Sequence, residues 1–594
     1  MLTMTDLLHE SLKLETIASI LCIRARLHRL RKNSLISSQQ VARAALFVSL
    51  GTLCCGGNAS AANSASSPST TPANRPLPIQ YPTDVLTYHY NVFRQGATLQ
   101  ETTLTPSNVN LNTFGKINFF PVDGKVDAQP LFVNKQSIGG GLNDTVYVVT
   151  ENDSAFAFSA NSGRLFWRVS ALLPGESPSD DRGCDSISPE IGITDTPVID
   201  KRNGPNGAIY FVAASKDSSG NYHQRLHALD LSTGAELFGG PVEINAMYPG
   251  TGDGSQNGYV IFNAAQYAER AAILEYGGTL YISFTSHCDN RPYTGWIMAY
   301  NSLTLAQTSV IDVTPNGYDG SIWMAGEGLA ADSSGNIYFL DANGLFDTTL
   351  NSGGFPINGD YGNAFVKIST SGGTLAVADY FNMYDTVEES ANEEDLGSGG
   401  AIVLPDVTDN NGQVHHLAVG AGKDTNIYVV NRDNMGKWNP NNDNQIYQEI
   451  DGALPGGVWS SPAYWNNTIY YGDVGDNLKA FSISNAMLSI TPTSQTGMNF
   501  PYPGTTPTVS ANQTSNAIVW VVSNSNPAVL YAFQAANLAN QLYNSNQAGS
   551  RDQFGPGNKF ITPMVANGKV FVGTQTGVAV FGLLQQLPHS SAQP

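Results

Sequence analysis

One pattern restricts the fold of this chain more than any other: a short apolar strand, a turn, an alternating strand and a polar turn, written repeatedly. It reads VYVVTENDSAFAFSANSGRLFW at 146–167, IYFVAA followed by LHALDLSTGAELF between 209 and 238, TIYYGDVGDNLKAFSISNAML at 468–488 and KVFVGTQTGVAVFGLL at 569–584. Eight such segments lie between residues 85 and 587, at a spacing of roughly 60 residues that leaves room for four strands and long loops. Several follow an apolar strand with a proline: AQPLFV (128–133), DTPVID (195–200), SSPAYW (460–465), TTPTVS (505–510) and ITPMVA (561–566). Val, Ile, Tyr, Phe and Trp fill the strands, as a pleated, half-buried surface favours. A sheet this small cannot bury both faces alone, whereas radial stacking lets its neighbours cover them and leaves only short edges. The pattern predicts an all-β fold, a single eight-bladed β-propeller of four-stranded antiparallel blades over 85–587. FGKINFF (114–120) is expected to close the ring as the outer strand of the last blade. Two sandwiches are the alternative, and they do not call for so regular a recurrence.

Composition agrees. The 59 glycines suit a turn-rich β protein, and charged residues make up only 13% of the chain. The formal net charge of −20 would repel nucleic-acid phosphates, so no nucleic-acid partner is expected. The first 61 residues run the other way, with seven Lys or Arg against three Asp or Glu. Their basic stretch leads into AALFVSLGTLCC (44–55) and the small-residue ASA (59–61). This reads as a signal or targeting segment over 1–61, with a short membrane anchor, a lipoprotein or a mistaken start as alternatives. The apolar run is shorter than the roughly 20 residues a span requires, so no membrane span is expected in the mature chain. Residues 62–84, rich in Ser, Pro and Ala, read as a disordered leader, and 588–594 as a disordered tail. The expected location is secreted or periplasmic, and the expected state monomeric. Without residues 1–61 the chain keeps two cysteines, Cys184 and Cys288. In an oxidising compartment they suggest one disulfide; two buried thiols are the alternative.

The repeats resemble those of the pyrroloquinoline quinone (PQQ) repeat superfamily, which holds the quinoprotein alcohol dehydrogenases and envelope-assembly propellers. YHYNVFRQGATLQETTLTPSNVN (88–110) also resembles the entry segment of secreted bacterial members of unclear function. The resemblance implies particular roles. Trp323 in GSIWMAGEG matches the Trp beneath the quinone, and Asn343 in IYFLDANG the calcium-binding Asn. Asp360 in NGDYGN matches the catalytic Asp, and Lys423 in GAGKDTNIYVVNR the basic residue that touches a quinone oxygen. Each has a plainer reading as a packing or loop residue. The departures weigh as much. RGCDSI keeps one cysteine where the dehydrogenases commonly carry an adjacent pair. SHCDNRPYTGW (286–296) stands where a calcium Glu and a quinone-binding Arg are expected; Asp289 or Asn290 is the substitute for the Glu, and Thr294 stands at the Arg position.

That rewritten loop is a candidate site in its own right. If Cys184 pairs with Cys288, Glu190 and Asp289 share one mouth of the ring with His287 and Trp296, for binding or acid–base work. The leading expectation is therefore a binding module for a glycan or an envelope protein, with a partly degenerate quinone-type pocket. The alternative is a PQQ- and calcium-dependent alcohol or sugar dehydrogenase in which Asp360 is the base.

Overall fold

A computed structural model describes residues 83–585. The targeting segment and most of the leader fall outside these residues, as does the C-terminal tail. Eight sheets of four to six strands, antiparallel but for Ala97–Thr98 beside Thr508–Asn512, follow one another along the chain. Apart from Ser177–Asp180 and Glu190–Ile191 beside the second and Ala97–Thr98 beside the seventh, they span 131–170, 198–243, 274–312, 330–381, 401–450, 463–499, 508–544 and 564–583, and are called here the first to the eighth. The eighth takes its outer strand from the other end of the chain: Phe114–Pro121 pairs antiparallel with Gly577–Leu583. LHALDLSTG falls as the pattern requires, ending the third strand of its sheet (Tyr222–Asp230) and making the turn after it.

Burial explains the strand chemistry. The second strand of the second sheet, Ala208–Lys216, is buried along almost its whole length, because neighbouring sheets cover both faces. An outer strand such as Leu165–Ser170 is half exposed. The apolar cores lie between successive sheets. One packs residues of the first sheet against Ile209 and Phe211 of the second and against Phe571 and Val580 of the eighth. Others join the second to the third, the third to the fourth and fifth, the fifth to the sixth, the sixth to the seventh and the seventh to the eighth. The last sheet thus packs against the first, which gives a closed, propeller-like all-β arrangement around a centre.

Segment 85–96 crosses that centre and touches the innermost part of every sheet. Val85 bridges Phe132 of the first sheet. The carbonyls of Leu86, Val92, Phe93, Gln95 and Gly96 accept from the backbone N–H of Ile199, Ala331, Val403, Tyr464 and Val509. The Tyr90 hydroxyl accepts from the N–H of Val565. The buried Arg94 guanidinium donates to the carbonyls of Leu329, Ala272 and Ile273. This strap is not a regular element; His89, Tyr90 and Arg94 have φ of 52°, 72° and 60°.

Cys184 and Cys288 form a disulfide with Cα atoms 5.8 Å apart, across 104 residues of chain. It ties the loop leading into strand Glu190–Ile191, on the edge of the second sheet, to a loop of the third.

Candidate functional site

The proline-bearing strands set the register of the ring centre. Each strap contact on them falls two residues after the proline: Phe132, Ile199, Tyr464, Val509 and Val565 follow Pro130, Pro197, Pro462, Pro507 and Pro563. Three residues before the same prolines stand Asp127, Thr194, Trp459, Gly504 and Phe560. Five residues of chain separate this second set from the strap contacts, and the end of the ring where it lies is called here the mouth.

The mouth is aromatic and cationic. The Trp323 and Phe560 rings meet edge to face at 5.2 Å, Phe560 and Tyr502 at 6.5 Å, and Tyr502 and Trp459 at 5.9 Å. The row thus runs Trp323, Phe560, Tyr502, Trp459. Lys423 Nζ lies 5.6 Å from the Trp459 ring centre and Lys559 Nζ 5.8 Å from that of Tyr502. Arg270 lies 5.9 Å from both Trp323 and Phe560. Such cation–π pairs are each worth about 0.5–2 kcal/mol, more as water is excluded. Tyr502 is 46% exposed, so one ring of the row is open to a ligand.

Beneath the mouth the centre is polar and closed. Arg270 is buried and donates to the carbonyls of Thr194, Ala325 and Phe560. Gly326, at φ +92°, makes room for it; a Cβ there would come within 2.5 Å of Arg270 Nη1. Burial pushes the Glu327 carboxyl well up, and the Arg94 guanidinium opposes that shift. Asp195 and Glu269 face each other and are both pushed up by burial, with mutual repulsion adding for Glu269. From the strap side Tyr88 reaches down until its hydroxyl stands 3.1 Å from Ser461 Oγ and 3.0 Å from Thr562 Oγ1. The strap therefore closes the centre on its own side.

The residues singled out from sequence divide between several places. Trp323 belongs to the aromatic row and also packs against the apolar cluster of Ile187, Ile191, Ala214 and Ala268. Asn343 and Lys423 meet through Asp395, which the sequence reading did not single out. Asp395 accepts from the Asn343 backbone N–H at 3.1 Å and pairs with the Lys423 ammonium. The Asn343 side chain donates to Glu393. Asp360 sits apart, accepting from the Asn316 backbone N–H at 2.8 Å, and burial raises it to about 6. Asp289 accepts from Ser286 Oγ at 2.7 Å and from the Tyr293 hydroxyl at 3.3 Å. Trp296 is no loop residue: it opens strand Trp296–Asn301, is fully buried and donates to the Tyr267 hydroxyl. His287 is buried, and desolvation and the nearby Arg182 lower its pKa. Glu190 is raised by burial, with Asp123 as its charged neighbour. His287 and Glu190 thus answer to different charges. Trp459, Tyr502, Phe560 and Lys559 were missed. They lie in the segments leading into the sixth, seventh and eighth sheets and share no local motif, but alignment on the prolines would have placed Trp459 and Phe560 in equivalent positions.

The set does not fit the calcium and quinone that the resemblance implies. Among the described residues no three His, Cys, Asp or Glu side chains gather to hold a metal ion. Asp395, the carboxylate next to Asn343, is engaged by Lys423. The Trp323 ring meets Phe560 and the cluster around Ile187. The cavity beside the aromatic row, about 10 Å³, has room for about one water molecule, too little for a quinone.

Comparison with known proteins gives the fold. No protein-family model and no curated protein matches the chain. Among solved structures it is similar to the quinohemoprotein alcohol dehydrogenase of Comamonas testosteroni, with a TM-score of 0.54 and 12% identity over 86% of this chain and 82% of that one. A quinohemoprotein alcohol dehydrogenase from Pseudomonas putida gives the same figures. A europium-containing methanol dehydrogenase gives 0.54 and 11% over 85% and 99%. At these identities the likeness is one of fold, and chemistry has to be argued from the site.

Proposed function

We propose that this chain, which has the PQQ-repeat propeller fold of the quinoprotein alcohol dehydrogenases, is an exported eight-bladed propeller that acts as a binding module and takes its ligand at the mouth. The row Trp323, Phe560, Tyr502 and Trp459, with Lys423 and Lys559 over its rings, carries this reading. Aromatic rings offer a large contact area at little entropic cost, and loops on a rigid scaffold are the usual seat of recognition. The ligand class is a glycan or an envelope protein, and the module works as a monomer. The disulfide supports an oxidising compartment outside the cytosol. Among the described residues no helix is long and apolar enough to cross a membrane.

A PQQ-dependent dehydrogenase is the second reading. It is favoured by the shared fold and by Lys423 lying over the aromatic row that holds Trp323. One pair of experiments separates the two. Labelled protein is screened on a glycan array and against an array of purified envelope proteins. Separately, protein with added PQQ and calcium is offered a panel of alcohols and sugars with a redox dye. Binding that disappears in Trp459→Ala, with no dye reduction, is expected. Dye reduction that is lost in Asp360→Asn would establish the enzyme and overturn the binding-module reading.

A further inference from the structure

A hairpin lies across the mouth. Ala208–Lys216 runs back toward the mouth, antiparallel to Val198–Asp200, and its last two residues pair with Ser177 and Pro178. From there Ser177–Asp180 and Glu190–Ile191 form the two legs of the hairpin, and residues 181–189 are its tip. The tip starts on the second sheet and meets segments that lead into three others. The Arg182 guanidinium donates to the Ala265 carbonyl, ahead of the third sheet. Ile187 and Ile191 belong to the apolar cluster on which Trp323 packs, ahead of the fourth. Lys559, ahead of the eighth, donates to the Asp185 carbonyl at 3.1 Å. The fourth and the eighth stand on opposite sides of the ring, because the sheets pack in chain order and the last packs on the first. A tip that meets residues ahead of both therefore spans the centre.

One covalent bond is the strongest tie on this tip. Asp181 organises it from within: its carboxylate accepts from the Gly183 N–H at 3.0 Å and from Ser188 Oγ at 2.7 Å, and its carbonyl accepts from the Cys184 N–H at 2.8 Å. The tip is thus a preformed unit that can move as one piece. Among the described residues no backbone–backbone hydrogen bond joins 181–189 to any sheet. The tip is tied instead through side chains, Arg182, Ile187 and Lys559 among them, and through the Cys184–Cys288 disulfide. Segments with few backbone bonds to their surroundings open locally at a small fraction of the global free energy, so the disulfide is what keeps the tip closed. Cys184 is buried and Cys288 is exposed. Thiol–disulfide exchange needs access to a sulfur, and this bond offers it on the Cys288 side.

We propose that residues 181–189 are a lid over the mouth, latched by the Cys184–Cys288 disulfide and released when a dithiol reduces that bond. A thiolate of the dithiol attacks Sγ of Cys288, forms a mixed disulfide there and expels the Cys184 thiolate. The second thiol of the dithiol then displaces the Cys288 thiolate and closes the dithiol's own disulfide. The protein gains two electrons and two protons, and the dithiol loses them. With the latch open the tip swings on its two legs and uncovers Trp323, which packs on the cluster of Ile187, and the Phe560 ring against it. The lid governs access to the aromatic row whichever ligand the row takes.

The test compares the full-length exported protein, oxidised, with the same protein in millimolar dithiothreitol, and counts free cysteines by thiol labelling. Hydrogen exchange is followed by mass spectrometry at labelling times of seconds to minutes, when strands protected by the whole fold stay unlabelled. Hydroxyl-radical footprinting reads the exposure of Trp323 and Phe560. Reduction is expected to speed exchange over 177–193 by about tenfold or more and to raise the labelling of both rings severalfold. Cys184→Ser with Cys288→Ser is expected to show both changes without dithiol and no further change with it. Ile187→Ser, with the disulfide intact, is expected to keep 177–193 protected until the protein is reduced; a hairpin that opens in this variant while still oxidised is held by packing, and the latch falls. A disulfide that dithiothreitol leaves unreduced in the folded protein overturns the proposal. So do exchange and ring labelling that stay unchanged once both thiols are counted, and so does an opening spread evenly over all the sheets. None of these readings uses a ligand, so the lid stands or falls apart from the binding-module reading.

Discussion

Arg94 is fully buried and its side chain joins two sheets: Nε donates to Leu329 O at 2.9 Å at the edge of the fourth, and Nη2 reaches Ala272 O and Ile273 O at the edge of the third. Its Nη1 also holds Thr87 and Tyr88 within the strap, and Glu327 is its nearest charged neighbour. Arg94→Met keeps the bulk but strips the carbonyls of donors and leaves Glu327 without its cation. It should cost about 3–5 kcal/mol of stability, measured by denaturant melts, and Arg94→Lys should not restore it, because an ammonium cannot span the same fork. A second residue-scale consequence concerns acid. Burial raises Glu389 to about 9, Asp424 to about 7 and Glu449 to about 7, with neighbouring carboxylates adding. All three folded values lie above the unfolded ones, so the folded state binds more protons between about pH 4 and 9. Their contribution is complete below about pH 4 and is lost as pH rises through 7 to 9. Glu389→Gln should therefore raise the melting temperature at pH 8 by about 2–4 °C and change it little at pH 5. An equal gain at both values would show that Glu389 takes up no proton on folding at pH 8.

Among elements, the strap has the widest reach. It contributes a backbone or side-chain bond to each of eight sheets. Deleting residues 83–96 removes these at once and uncovers the centre where Tyr88 meets Ser461 and Thr562. The shortened protein should melt lower and become sensitive to protease along its innermost strands, read by limited proteolysis with mass spectrometry. A strap that could be cut without either effect would be mere packing. None of this was legible in the sequence. YHYNVFRQG showed a resemblance but no period, because its backbone bends through positive φ at His89, Tyr90 and Arg94, a conformation that tertiary contacts impose. The sheets were legible because each middle strand is buried by neighbours on both sides and so must be written in β-branched and aromatic residues. The strand at 114–121 was readable for the same reason, since Phe114 and Phe120 point into cores.

For the molecule as a whole, the disulfide restrains the widest covalent loop, 104 residues across two sheets. Cys184→Ser with Cys288→Ser should lower stability by about 2–4 kcal/mol, and reduction of the wild type should approach the same melting temperature. The pairing was legible because only two cysteines remain beyond residue 61. The mouth was not legible. Trp459, Tyr502 and Phe560 are far apart in the chain and become one surface only when the sixth, seventh and eighth sheets stand side by side. Trp296, which sequence placed in the loop around Cys288, went inside because a strand begins at that residue and turns the indole into the core.

The antiparallel pairing of Phe114–Pro121 with Gly577–Leu583 fixes an order of events. A ribosome delivers the first of these strands more than 450 residues before its partner. Until that partner arrives the early strand has an unpaired edge, and the first sheet lacks one of its two neighbours. Such edges recruit other chains, and contacts this distant in sequence form slowly. The circle cannot be completed while any part of the chain is still being made, so a nascent molecule needs shielding for its whole synthesis. A premature stop anywhere before residue 577 should therefore yield no smaller working ring, only aggregate.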